Sequence, residues 1–225
     1  PARPPLVLLH GLASNLTRWA EFVAHTRLAQ SHDVLRVDLR TGEQKLLLSF
    51  ADALKVPNPH GDWTGAKHWF NHLLYSPAGK RFIFLHRWRG DKEGKGFSTR
   101  MFTCKPDGKD LFILDPHGKT SHFVWRDPKT IFAWAWHPSR QERFYLYEDK
   151  TDRVEVVGRD DMVVNGHNTY LPGTNSQWVL NDTYPDRHDM RTLMLYRWSD
   201  SRRIDLARLH SPKARWWEIK TWPRS

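Results

Sequence analysis

Short stretches of alternating apolar and polar residues, separated by turns rich in Pro, Gly and Asp, recur along this chain. Such alternation is the pattern of a half-buried β-strand. Three stretches begin with His, two further residues and an aromatic residue: NHLLYSPAGKRFIFLHRW (71–88), SHFVWRDPKTIFAWAWHP (121–138) and GHNTYLPGTNSQWVLNDTY (166–184). Their histidines, His72, His122 and His167, are 50 and then 45 residues apart. This period predicts a stacked repeat, and the strand-only content favours propeller blades over a helical solenoid.

A hairpin pattern with a polar turn follows each stretch, and one more precedes them; the four are 34–50, 99–114, 143–158 and 192–209. Two inner strands and an outer hairpin make a four-stranded blade. We therefore predict a mainly β fold, a partial β-propeller of about three to four four-stranded blades. The complete blades are expected at about residues 71–115, 121–158 and 166–209. The Pro- and Gly-rich connection 51–67 is predicted to lack regular structure.

Residues 1–40 follow a different pattern. An apolar strand ends at His10-Gly11, an amphipathic helix is predicted over about residues 16–30, and a second strand ends at Asp38-Leu39-Arg40. This short α/β N-terminal segment resembles the opening of α/β-hydrolases, so we predict two domains, 1–40 and a β-propeller over 41–225. No G-x-S-x-G nucleophile elbow follows it, and this disfavours a serine hydrolase that uses His10-Gly11.

The composition of the chain indicates which kinds of binding partner and which compartment to expect. The formal net charge of +10 favours an anionic carbohydrate or another anionic small molecule, and because Lys and Arg form no dense run, no nucleic acid is expected. The single cysteine, Cys104, excludes an internal disulfide framework and a cysteine-based zinc site. Neither a membrane-length apolar run nor a signal peptide is seen, so we expect no membrane association and a cytoplasmic location.

Several motifs resemble a known family. The segments SPAGKRFIFL (76–85), KPDGKDLFIL (105–114), SHFVWRD (121–127) and NGHNTYLPG (165–173) look like WD40-like, TolB-type bacterial propellers. Within these, the chain is similar to the oligogalacturonate lyase group over about residues 33–212. The resemblance implies that His122 is a Brønsted base, that Arg100 helps to bind a uronate, and that His167 is the first ligand of a divalent metal ion of the manganese or calcium type.

Histidines at equivalent places on inner strands are expected to converge near the axis of a propeller. We predict His72 and His86 as further metal ligands beside His167, since neutral imidazoles suit a borderline divalent ion. A bound cation would acidify the proton beside a uronate carboxylate while a free histidine removes it. The alternative is that each histidine caps its blade by bonding a backbone carbonyl. The sequence leaves both interpretations open.

The function expected first is a metal-assisted propeller enzyme that acts on an anionic sugar-like substrate, as oligogalacturonate lyases do. Two alternatives stay open: a non-catalytic binding or scaffold propeller fragment, and a metal-dependent hydrolase or lactonase on the same scaffold. Whether the chain is an enzyme at all is therefore undecided by its sequence. Three blades leave strand edges and apolar faces uncovered, so we also expect a homo-oligomer formed through open propeller edges.

Overall fold

The computed structural model describes residues 6–8, 34–37, 41–59, 66–89, 96–158 and 160–211. This part of the chain contains one short helix, α1 (Phe50–Leu54), and fifteen strands. The strands are β1 (Leu6–Leu8), β2 (Val34–Val37), β3 (Gln44–Leu48), β4 (Lys67–Tyr75), β5 (Phe82–Arg89), β6 (Ser98–Cys104), β7 (Phe112–Gly118), β8 (Thr120–Trp125), β9 (Thr130–His137), β10 (Gln141–Glu148), β11 (Val154–Val157), β12 (Gly166–Tyr170), β13 (Trp178–Thr183), β14 (Met190–Arg197) and β15 (Arg202–His210). Within the described residues no helix has the length and apolar character to cross a membrane.

Twelve of these strands form three four-stranded antiparallel sheets, β4–β7, β8–β11 and β12–β15. In each sheet the strands follow one another in chain order. The sheets agree within a few residues with the three predicted blades. The predicted mainly β class is therefore confirmed, and the sheets are consistent with partial propeller-like blades.

The first three strands form a smaller antiparallel sheet in the order β1-β2-β3. β2 and β3 are the hairpin predicted over residues 34–50. This sheet joins residues on both sides of the domain boundary predicted at residue 40. His10-Gly11, Asp38-Leu39-Arg40 and the helix predicted over about residues 16–30 lie outside the described residues.

The connection between β3 and β4 contains α1, whereas its Pro and Gly content predicted no regular structure. Ser49 begins the helix with a capping box: its Oγ accepts the Asp52 N–H at 3.2 Å, and Asp52 Oδ2 accepts the Ser49 N–H at 3.1 Å. Such reciprocal bonds satisfy two donors that a helix start leaves without partners. The Ser-x-x-Asp signal precedes Pro57, the first helix breaker in this connection, so it was readable in the sequence.

The sheets pack face to face, and β9, a central strand of the middle sheet, buries both of its faces. In β9, Ile131 and Ala133 belong to the core shared with β4–β7, while Phe132 and Trp134 belong to the core shared with β12–β15. This follows from the alternation of side chains along a strand. Trp134 is only 4% exposed. Because both faces of such a strand are buried, its residues form a continuous apolar run, although the chain as a whole contains few apolar residues.

Candidate functional site

The three repeated histidines line one pocket of about 230 Å³. They come from β4, β8 and β12, the first strands of the three sheets, and β8 lies against β12. The pocket is lined by His72, Leu73, Leu74, His122, Phe123, His167 and Asn168. The structure thus brings together the histidines that the repeat predicted to converge; their chemical roles stay predictions.

Two of these histidines lie at irregularities of their strands rather than at strand starts. β4 begins at Lys67, and His72 falls within a register shift, with the left-handed φ of 54°. His122 lies within a corresponding shift in β8. A β-bulge turns a side chain away from the regular alternation. The pocket therefore depends on local departures from strand geometry that the repeat pattern did not show.

Hydrogen bonds orient the imidazoles of His122 and His167. His122 Nδ1 lies 3.0 Å from Asn165 Oδ1, and His167 Nδ1 lies 3.0 Å from Asp182 Oδ1. Because these oxygens only accept, each Nδ1 carries a proton, and in the neutral form of either ring the lone pair lies on Nε2. The two ring centroids are 4.1 Å apart. The two rings thus lie beside each other, each with its Nδ1 directed at an oxygen acceptor.

The environment keeps His72 and His122 uncharged. Burial, with a smaller contribution from the Arg87 cation and the two neighbouring histidines, lowers the pKa of His72 to about 4. Burial also lowers the pKa of His122; the charges of His167 and Arg87 act in the same direction, whereas Asn165 opposes them. A histidine whose pKa lies below its usual value is neutral at pH 7 and is therefore available as a base.

Arg87 is not among the residues that line this pocket, but its positive charge acts on two of them, since it contributes to the lowered pKa of His72 and His122. It is half-buried, its guanidinium carbon lies 4.7 Å from the centre of the Phe97 ring, and its buried Nε has no hydrogen-bond partner among the described residues. Burial lowers its pKa. A desolvated cation is stabilised by an anionic partner. The repeat pattern assigns Arg87 no role, although it belongs to the His86-Arg87-Trp88 run near the end of β5.

His86 and Arg100, predicted as a metal ligand and as the uronate-binding arginine, lie in the core against α1. His86 is fully buried, its Nε2 is 3.0 Å from His68 Nδ1, and burial lowers its pKa to about 3. The buried guanidinium of Arg100 donates to the carbonyls of Ala53, Val56 and Pro57 at 3.1, 2.9 and 3.0 Å. His86 and Arg100 lie on the same face of the sheet because they pair across β5 and β6. Side chains alternate along a strand, so Arg87, the residue after His86, projects from the opposite face.

The predicted metal centre is only partly recognisable. The hydrogen bond from His167 Nδ1 to Asp182 is the type of contact that fixes a metal-binding histidine with its Nε2 available. However, within the described ranges no group of three or more His, Cys, Asp or Glu side chains is arranged to hold an ion. These residues by themselves do not fit a complete ion site, so the divalent ion and its ligands His167, His72 and His86 stay a prediction.

The lone thiol takes no part in this chemistry. Cys104 is fully buried at the end of β6, and burial raises its pKa to about 12. A thiol with so high a pKa carries almost no thiolate at neutral pH. Its buried position agrees with the strand-like pattern around it in the sequence.

Comparison with known proteins leaves the family open. The chain matches no model of a known protein family, and no curated protein matches it significantly. The mostly antiparallel fold with three four-stranded sheets is compatible with a partial propeller-like β fold. The finer similarity to the oligogalacturonate lyase group rests on the sequence motifs.

Proposed function

We propose that the histidine pocket binds an anionic sugar-like substrate, a uronate, and removes the proton next to its carboxylate. The observation that carries this proposal is the arrangement of His122 and Arg87. His122 is oriented by Asn165, is neutral, and lines a pocket whose histidines His72 and His122 feel the charge of Arg87, a cation whose Nε has no hydrogen-bond partner among the described residues. A base beside a carboxylate-binding cation is the minimal equipment for abstracting a proton α to a carboxylate.

His122 is the base in this proposal. Its Nδ1–H is held by Asn165 at 3.0 Å, so Nε2 is the nitrogen that accepts the proton. The lowered pKa makes the neutral form dominant at pH 7, at the expense of some basicity. This assignment agrees with the role that the family resemblance gave to His122.

Arg87 replaces Arg100 as the proposed carboxylate partner. Arg100 uses its guanidinium on three backbone carbonyls and is fully buried. In Arg87 the Nε has no such bond among the described residues. Pairing with a substrate carboxylate would offset the cost of its burial, and would also make the α-proton easier to remove.

The divalent ion implied by the resemblance is an addition to this proposal. A manganese- or calcium-type ion would act as a Lewis acid on the carboxylate when bound. His167 is the residue best oriented to hold it, and further donors would have to complete the site. Proton removal by His122 with Arg87 as the cation does not require the divalent ion.

The proposal is tested by offering uronate oligosaccharides to the purified protein and following formation of the C4–C5 double bond by ultraviolet absorbance. His122→Gln should reduce turnover by about 10²-fold or more, the usual scale of general base catalysis. His137→Gln is the matched control, because His137 is another partly buried histidine that bonds Ser139 instead of lining this pocket. Equal turnover in the two variants would refute the role of His122. Binding without any elimination would favour the alternative of a binding propeller.

A further inference from the structure

Tyr184 places a hydroxyl beside the proposed base. It follows β13 directly, and its OH lies 3.4 Å from His122 Nε2. The two rings are perpendicular with centroids 5.3 Å apart. Tyr184 is 43% exposed, so its hydroxyl is accessible to a molecule that enters from solvent. The nitrogen that is to accept a proton therefore has a proton-bearing oxygen as its neighbour.

One residue fixes the positions of both groups. The carbonyl of Asn165 accepts the backbone N–H of Tyr184 at 2.7 Å, and its side-chain Oδ1 contacts His122 Nδ1 at 3.0 Å. Two cations lie nearby: the Arg191 guanidinium carbon is 6.0 Å from the Tyr184 ring centre, and the charge of Tyr184 opposes the fall of the Arg87 pKa.

We propose that Tyr184 is the proton donor of the elimination and that it acts on the same face of the sugar as His122. This inference rests on the proposed function. His122 Nε2 takes the C5 proton, the C5–H electron pair forms the C4–C5 double bond, and the C4–O bond breaks. Tyr184 donates its proton to the departing oxygen. The imidazolium then returns a proton to the phenolate across the 3.4 Å between them, so both groups are restored without another reactant.

The contact between acid and base has a stereochemical consequence. Groups 3.4 Å apart approach a sugar ring from one side, so they serve a syn elimination, in which the C5 hydrogen and the C4 oxygen leave from the same face. In glucuronates and mannuronates these two substituents share a face, whereas in galacturonates they lie on opposite faces. The structure thus assigns gluco- or manno-configured uronates as the substrate class, in place of the galacturonates that the resemblance would suggest.

The first test compares three substrates on the unmodified protein: oligomers of glucuronate, mannuronate and galacturonate. We expect elimination from the glucuronate or mannuronate oligomer, and at least tenfold slower reaction with galacturonate. Preference for galacturonate would refute the same-face assignment while supporting the proposed function. No binding and no elimination with any of the three would overturn the proposed function, and this inference with it.

The second test separates proton donation from a structural role of Tyr184. Tyr184→Phe keeps the ring against His122 and should lower turnover by about 10²-fold or more, with little change in substrate affinity. A uronate that carries a nitrophenyl ether at C4 has a leaving group that needs no proton, so Tyr184→Phe should eliminate it at nearly the wild-type rate. The elimination rate of His122→Gln should be low with both substrates. If the activated substrate reacts as slowly as the natural one in Tyr184→Phe, Tyr184 is not the proton donor.

Discussion

The proposed function gives Arg87 the carboxylate-binding role that was expected of Arg100, and substituting each arginine by methionine tests this assignment. Arg100 donates three hydrogen bonds to carbonyls at and beyond the end of α1, at 2.9–3.1 Å. Arg87 has a buried Nε without a partner among the described residues. Methionine keeps most of the length and packing of the arginine stem but removes the charge and the donors.

The size of the effect at Arg100 follows from two opposing contributions. Hydrogen bonds from a charged group contribute about 1.5–3 kcal/mol each, so three give roughly 5–9 kcal/mol. Burial lowers the pKa of Arg100 from 12.5 to about 10, and this desolvation costs about 3 kcal/mol. The difference predicts that Arg100→Met lowers the free energy of unfolding by about 2–6 kcal/mol. For a chain of this length the midpoint of thermal unfolding should fall by roughly 10 °C.

The opposite result is expected at Arg87. Arg87→Met removes a desolvated cation, so the free energy of unfolding should change by less than about 1 kcal/mol, while affinity for a uronate oligosaccharide falls more than tenfold. Urea unfolding followed by tryptophan fluorescence gives the stabilities. Calorimetric titration gives the affinities, at a temperature where both variants are folded. The reasoning is refuted if Arg100→Met is as stable as wild type but no longer binds uronate, or if Arg87→Met unfolds easily yet binds normally.

Three further predictions concern stability, metal and assembly. Burial raises the pKa of Asp115 to about 6, whereas an unfolded aspartate ionises near 4. Stability should therefore fall by about 3 kcal/mol as pH rises from about 4 to 6 and stay level above, and urea unfolding should show no such fall in Asp115→Asn. If a manganese-type ion is bound, elemental analysis should find at least tenfold less of it in His167→Ala than in wild type, by analogy with losses of about 10–100-fold for outer-shell changes; equal content would exclude His167 as a ligand. The uncovered strand edges predict a dimer in light scattering, and a monomer at micromolar concentration would contradict this.

An ion pair between two sheets is a contact that the local sequence pattern does not predict. Asp149 and Asp152 lie in the turn between β10 and β11, a place where aspartates commonly bond their own backbone. In the structure the Asp149 carboxylate pairs with Arg81 Nε at 2.5 Å and accepts the Thr103 hydroxyl at 2.5 Å. These residues come from different sheets, so no pattern within one repeat announces the contact.

The repeat, the blades and the convergence of three histidines were determined by the sequence alone. Strand alternation and turn residues act over a few positions, so a pattern that recurs at a regular period specifies the same unit each time. Ser49 and Asp52 belong to the same class of local signal, since a capping box is complete within four residues.

Which residues surround the pocket histidines was decided only by the tertiary structure. Whether Arg87 or Arg100 lies on the face of the sheet away from α1 depends on strand register, and a shift of one residue reverses that choice. The partners of His122 come from another sheet: Asn165 is 43 positions further along the chain and Tyr184 is 62. Such contacts require the sheets to be packed and the strands to be bulged at particular residues, and neither condition is visible in the alternation of a single strand.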